Sequence, residues 1–430
     1  MTLDCDVIII GGGPAGSATG AYLSKAGISN MIVESAVHPR EHVGESMVTA
    51  STRVFDELGF LPTMERKGFV HKYGATWHAP AGRGTFSIEF GEFPQDDIHQ
   101  SYTYHVDRAQ FDHALLQHAE SLGSTVHQGL AVDEVLLDER GFTNGVAVTR
   151  NGRREELRSK LVVDASGRRT LLGSQLGLKK KDPLFDQYAV HAWFEDVARG
   201  GDATAEHIHI YFLEVERGWA WQIPITDTIT SMGVVAEKSN FREAKGDHAG
   251  MFAKLVQSND NLRDAMAPAK RVNDFKTEGD YSYSMTKFAG DGFVLVGDAA
   301  RFVDPIFSSG VSVALYSAKF ASESIVAALK TGDVSEAAFQ PYEKRLRAGV
   351  EIWYEFIRLY YKLLPLFTYF IQSKKHRLQV LRLLQGEVFD RTEVPVLDAM
   401  REFIAQAEKS DKHAFSRRLT DVPVDDADAN

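Results

Sequence analysis

The run Gly11-Gly12-Gly13-Pro14-Ala15-Gly16 constrains the fold more than any other part of the chain. Before it, Asp4-Cys5-Asp6-Val7-Ile8-Ile9-Ile10 reads as a buried strand; after it come a helical Ser17 to Lys25 and a second strand, Met31-Ile32-Val33-Glu34. Strand, glycine turn, helix and strand make a βαβ unit. In such a unit Gly11, Gly13 and Gly16, with Pro14 and Ala15 between them, let backbone approach a pyrophosphate, and the helix that follows points its N-terminus at the charge. Glu34 ends the second strand, placed to accept hydrogen bonds from an adenosine ribose. A tight turn needs glycine for its own sake, so the dinucleotide reading rests on the flanking strand, helix and acidic residue together.

The rest of the chain is long enough for more than one unit. Its 430 residues exceed a usual single domain, and 44% apolar with 25% charged residues is ordinary for a globular protein. The formal net charge of −11 argues against the basic footprint that nucleic acid needs. The single cysteine, Cys5, lies in the first apolar stretch and is expected to fill core volume. No basic, apolar and small-residue leader precedes that strand, so a cytoplasmic location is expected.

Along the chain, residues 1–184 read as the first segments of a Rossmann-type α/β domain, including a stretch near 70–105 that belongs with the substrate region. The span contains a helix from Asp107 to Leu122 and a strand Leu161-Val162-Val163-Asp164. Residues 185–290 change to short β-rich runs, expected to form an antiparallel substrate sheet. Residues 291–340 return to the α/β domain through Phe293-Val294-Leu295-Val296-Gly297-Asp298 and a helix from about Gly310 to Leu329, so the substrate sheet is inserted. Residues 341–420 read as helical. Their aromatic stretch Trp353 to Tyr361 is interrupted by Glu355 and Arg358 and followed by Pro365, so no transmembrane span is expected. Residues 421–430 form an acidic tail with the composition of a disordered segment.

Gly297-Asp298-Ala299-Ala300, ahead of Asp304-Pro305, resembles the second flavin-contacting segment of the FAD-dependent aromatic hydroxylase superfamily. That resemblance implies FAD, with Asp298 at the ribityl chain and Arg108 as a further contact. Gly218-Trp219-Ala220-Trp221-Gln222-Ile223-Pro224 is similar to the Trp-x-Trp-x-Ile-Pro signature of flavin-dependent halogenases, which implies that Trp219, Trp221, Ile223 and Pro224 stand beside a tunnel. Alternating tryptophans on a strand are also a common way to fill a core. Lys72, in His71-Lys72-Tyr73-Gly74, matches the lysine that this family places at the far end of the tunnel. Ser308-Ser309-Gly310-Val311 resembles its halide loop, with Gly310 and Val311 also near the flavin, and Val43-Gly44-Glu45-Ser46 its strap beside the isoalloxazine.

The resemblance thus implies a FADH2-dependent halogenase that makes hypohalous acid from oxygen and chloride or bromide and delivers it to an aromatic ring. No metal is called for. Tryptophan-specific members carry a glutamate where this chain has Phe307, so a residue of the substrate pocket cannot take a proton here. The substrate is therefore expected to be an electron-rich phenol or pyrrole, free or held on an acyl carrier protein. Only one nucleotide fingerprint is evident, which calls for a separate flavin reductase. The motifs cover about residues 1–330. A flavin monooxygenase or prenyl-chain reductase would share the FAD segments without needing Lys72 and the tryptophan pair, and a non-catalytic flavoprotein would need neither.

Overall fold

The computed structural model describes residues 3–79, 84–93, 95, 101–182, 184–185, 187–279, 282–389, 391 and 393–409; the acidic tail lies outside them. Its first sheet has the order Ala289–Gly290, Phe293–Leu295, Leu161–Asp164, Val7–Ile10, Asn30–Glu34, Thr125–Gln128. All neighbours run parallel except the Ala289–Gly290 edge. Parallel strands are covered on both faces, which is why these segments are almost wholly apolar. Val7, Ile8 and Ile9 are fully buried, each stabilising the fold by about 1.5–3 kcal/mol.

The first strand starts at Val7, leaving Asp4 to Asp6 outside it. Cys5 is half-buried, and burial pushes its thiol up to about 12, an unreactive state. The first helix runs Pro14–Lys25, three residues earlier than its apolar pattern suggests. Proline at the first helical position lacks only an N–H that would be unpaired there, and its φ is already helical. This helix packs against Arg108–Ser121 and Gly310–Thr331. Asp107 caps the former, accepting from the Ala109 N–H at 2.9 Å.

The second sheet contains the order Lys270–Arg271, Gln187–Glu195, Ile229–Glu237, Trp219–Pro224, Ile208–Phe212, Gly74–His78, Thr85–Glu89, with Lys276–Gly279 also on the Gln187–Glu195 strand. It departs from a purely antiparallel sheet at one joint, where Ile208–Phe212 lies parallel to Gly74–His78. Residues 238–266, expected to continue the strands, form the helices Lys238–Glu243, His248–Val256 and Asp260–Met266. Met251, Phe252, Leu255 and Val256 recur at helical spacing and close over Val190, Met232 and Val234 of the sheet.

The C-terminal helices Gln340–Leu363, Phe367–Gln372, Arg377–Leu384 and Pro395–Glu408 pack into the main core. Among the described residues no helix is long and apolar enough to cross a membrane.

Candidate active site

The glycine turn, Glu34, the Val43–Ser46 strap, Asp298, the start of the Gly310–Thr331 helix and the tryptophan strand surround one cavity of about 510 Å³. It lies at the carboxyl ends of the parallel strands, where open α/β sheets bind ligands. Gly11 has φ +104°, and a side chain there would strike the Ala165 carbonyl at 2.5 Å. At Gly16 a Cβ would sit 1.9 Å from the Gly11 carbonyl oxygen, so the helix lies directly against the strand end. Gly16 is therefore beneath the turn, while Gly11, Gly13, Pro14 and Ala15 are on the cavity wall.

The polar groups suit FAD. Glu34 accepts from the Gly12 N–H at 2.6 Å and the Ala36 N–H at 2.7 Å, which orients its carboxylate on the wall with lone pairs to spare for a ribose. Among the described residues no hydrogen bond reaches the Asp298 carboxylate, and burial pushes it up to about 6 despite Arg168 and Arg108. Ser46 Oγ is also buried without a partner. Unpaired polar atoms beside a bare glycine turn are what a hydroxyl-rich dinucleotide would satisfy.

Pro305–Phe307 forms a 3-10 turn, Ser308 takes φ +58°, and the 22-residue helix Gly310–Thr331 begins. Ser308, Gly310 and Val311 are on the cavity wall; Ser309 is not. Among the described residues the buried Oγ atoms of Ser309 and Ser312 have no partner at this helix N-terminus, a place that favours an anion. The loop is pinned by Asp304, which accepts from the Ile306 N–H at 3.0 Å and the Tyr361 hydroxyl at 3.2 Å. Phe307 does not reach the cavity. It stacks on Phe356 at 4.5 Å and meets Tyr360 edge-on at 4.9 Å, inside the aromatic cluster of the C-terminal helices.

Alternation places Trp219, Trp221 and Ile223 on one face of their strand, all three on the wall, while Pro224 ends the strand away from it. The indoles tilt at 47° with centroids 5.9 Å apart. Trp221 Nε1 donates to Ser231 Oγ at 3.1 Å, whereas the buried Trp219 Nε1 has no partner among the described residues.

Lys72 ends the short strand Val70–Lys72 and is 3% exposed. It is off the cavity wall but one residue behind it: Nζ donates to the Met47 carbonyl at 2.8 Å, and Met47 follows the wall residue Ser46. Nζ also lies 5.5 Å from the centre of the Phe90 ring. Burial alone lowers its pKa to about 7, so ammonium and amine are both present near neutrality.

A family model described as an FAD binding domain matches residues 4–353. The chain is 45% identical over 440 residues to a 1H-pyrrole-2-carbonyl-(peptidyl-carrier protein) chlorinase of Pseudomonas fluorescens, covering 98% of each. This chain belongs to the flavin-dependent halogenases. The halogenase is also 31% identical to a 1H-pyrrole-2-carbonyl-(peptidyl-carrier protein) brominase of Pseudoalteromonas luteoviolacea, covering 90% of this chain and 92% of that one. Its fold matches the solved flavin-dependent brominase Bmp2 with TM-score 0.86 and 29% identity, covering 94% and 99% of the two chains. The likeness runs past residue 330, where no motif was legible.

Within the halogenase, Arg108 lines the cavity but directs its donors to protein. Nε and one terminal nitrogen pair with Asp112 at 2.8 and 3.0 Å, and the other donates to the Val43 and Gly44 carbonyls at 2.7 and 3.1 Å. The strap is thus tied to the Arg108–Ser121 helix. Two features of the site are not legible in the sequence. Glu45 is buried on the wall, pushed up to about 7 by burial although Ser231 and Trp193 oppose the shift; Trp193 Nε1 donates to it at 2.6 Å. Gly233 pairs with Trp221 across the sheet, and a Cβ there would lie 2.2 Å from the indole, so its missing side chain is the space the ring occupies.

Proposed function

We propose that this halogenase installs chlorine or bromine on a pyrrole-2-carbonyl group carried by a peptidyl carrier protein, with reduced flavin supplied by a separate reductase in the cytoplasm. The observation that carries this reading is the burial of Lys72 immediately behind the wall of the FAD-sized cavity, held there by the Met47 carbonyl. The two carrier-dependent relatives, each aligned along most of its length, support the substrate class.

The residue roles follow from this reading. Gly11, Gly13, Pro14, Ala15 and Gly16 hold the pyrophosphate, Glu34 the ribose, and Ser46 and Asp298 the flavin side. Arg108 positions the strap. The amides of Ser308, Ser309, Gly310 and Val311 hold halide at the helix N-terminus. When bound, reduced FAD supplies the electrons with which oxygen turns halide into hypohalous acid. Trp219, Trp221 and Ile223 are too bulky for an aromatic substrate to reach the flavin yet leave passage for a triatomic oxidant. Lys72 then aims it, as ammonium through a hydrogen bond or as amine through an N–halogen bond. With Lys72 so little exposed, its covering elements must part before a ring reaches it.

Incubation with FAD, a reductase, NADH, oxygen, halide and a pyrrole-2-carbonyl-loaded carrier protein tests the reading. Halogenated pyrrole that needs both halide and carrier is expected. Oxygenated product formed without halide would contradict it. Asp298→Ala is expected to weaken FAD binding about tenfold, the loss of one hydrogen bond to a charged group, read by flavin fluorescence titration.

A further inference from the structure

Halogen substitution releases a proton from the ring carbon, and Phe307 has no atom to receive it. The site needs a base elsewhere. We propose that His105 is that base, taking the ring proton at the Lys72 end of the enzyme. The inference rests on the halogenation reading above.

His105 ends the strand Thr103–His105, which runs antiparallel to Val70–Lys72 with Val70 opposite His105 and Lys72 opposite Thr103. His105 is therefore the diagonal neighbour of Lys72 on the same face, about 7–8 Å away along the pair. It also bridges Ser46 of the cavity wall, so the histidine and the lysine are fastened to consecutive strap residues, Ser46 and Met47. The ring is fully buried, and its Nε2 lies 3.2 Å from the Glu206 carbonyl. A carbonyl only accepts, so Nε2 carries the hydrogen and Nδ1 bears a lone pair. Among the described residues no hydrogen-bond partner reaches the buried Nδ1.

Burial first, and the Lys72 charge second, push the imidazole well below its ordinary range, so it rests neutral. That weakens it as a base until the moment of reaction. As the ring carbon bonds to halogen, the oxygen–halogen bond breaks and the departing oxygen takes a proton from Lys72 to leave as water. Loss of that lysine charge removes the largest charge effect that depresses His105, leaving burial and the smaller effects of His207 and His209. The ring C–H then breaks, its proton goes to Nδ1, and its electron pair restores aromaticity. Proton transfer from His105 back to the amine of Lys72 resets both groups. The balance is arene plus hypohalous acid giving haloarene plus water.

The test compares pyrrole-2-carbonyl carrier protein bearing ring hydrogen or ring deuterium. In the wild type the rate ratio is expected near unity, because proton removal is fast. In His105→Gln, whose amide still donates to Glu206, turnover is expected to fall about 10²-fold and the ratio to rise clearly above unity. In His105→Gly, added imidazole is expected to restore rate. A ratio that stays at unity in His105→Gln, or in His105→Asn should the first variant misfold, overturns the assignment whatever the rate. Wild-type enzyme that leaves the pyrrole unhalogenated overturns the substrate reading, and the inference falls with it.

Discussion

Lys72→Ala is expected to lose halogenation by about 10²–10⁴-fold while holding FAD within a few-fold of wild type. The separation is geometric. Lys72 is off the cavity wall, so nothing that would touch FAD is removed, whereas its Nζ is the donor aimed from the far side of the strap. Product formation by mass spectrometry and flavin fluorescence read the two effects independently. A variant that loses both together would make Lys72 a structural support of the strap.

The same buried amine has a signature in stability. Its folded-state pKa of about 7 lies below the ordinary value of 10.5. Between those limits the unfolded chain binds a proton that the folded chain does not, so this group makes stability rise with pH from about 7 to 10.5. Below about 7 both states are protonated and the contribution is flat. Lys72→Met lacks this slope. Its stability relative to wild type is expected to decline as pH rises through that window, in paired urea unfolding curves.

Gly16→Ala is expected to destroy FAD retention. One methyl group must occupy a point 1.9 Å from a backbone oxygen, and the neighbour is strand backbone with no rotamer to adopt. Forcing the first helix off the strand costs about 1–3 kcal/mol by overpacking, which is about one to two decades in FAD affinity if the bound state bears it. The purified variant is expected to be colourless. Wild-type affinity would show that the turn tolerates displacement and is not the pyrophosphate cradle.

The parts of this enzyme that were legible in its sequence are those encoded by neighbours along the chain. The glycine turn, the Asp107-capped helix, the strand ending at Asp298 and the helix starting at Gly310 all carry their signals within a few residues. Trp219 and Trp221 share a face because strands alternate, and the Gly310 helix start follows from the loop before it. What stayed hidden depends on pairing across long separations. That the Met47 carbonyl holds Lys72, that Gly233 makes room for Trp221, and that Gly74–His78 joins the second sheet in parallel are facts of register. No local pattern announces register.

Other differences between the sequence reading and the structure have local causes. The first helix was started at Ser17 because its opening residues are glycine, proline and alanine, which carry little periodicity. Residues 238–266 were read with the preceding strands although Met251, Phe252, Leu255 and Val256 keep a helical period. Arg108 was matched to a flavin contact by motif, yet its nearest acceptors are Asp112 and the strap carbonyls. Phe307 packs against Phe356 and Tyr360, whose proximity the sequence does not reveal.

Under the proposed function the oxidant is made at one end of the enzyme and used at the other. Trapping hypohalous acid with a freely diffusing dye, in Lys72→Ala supplied with reductase, oxygen and halide, tests it most directly. The variant is expected to halogenate the dye at near wild-type rate while leaving the carrier-bound pyrrole untouched. A variant that still halogenates the pyrrole at wild-type rate, or one that binds FAD normally yet releases no trappable oxidant, would contradict the account.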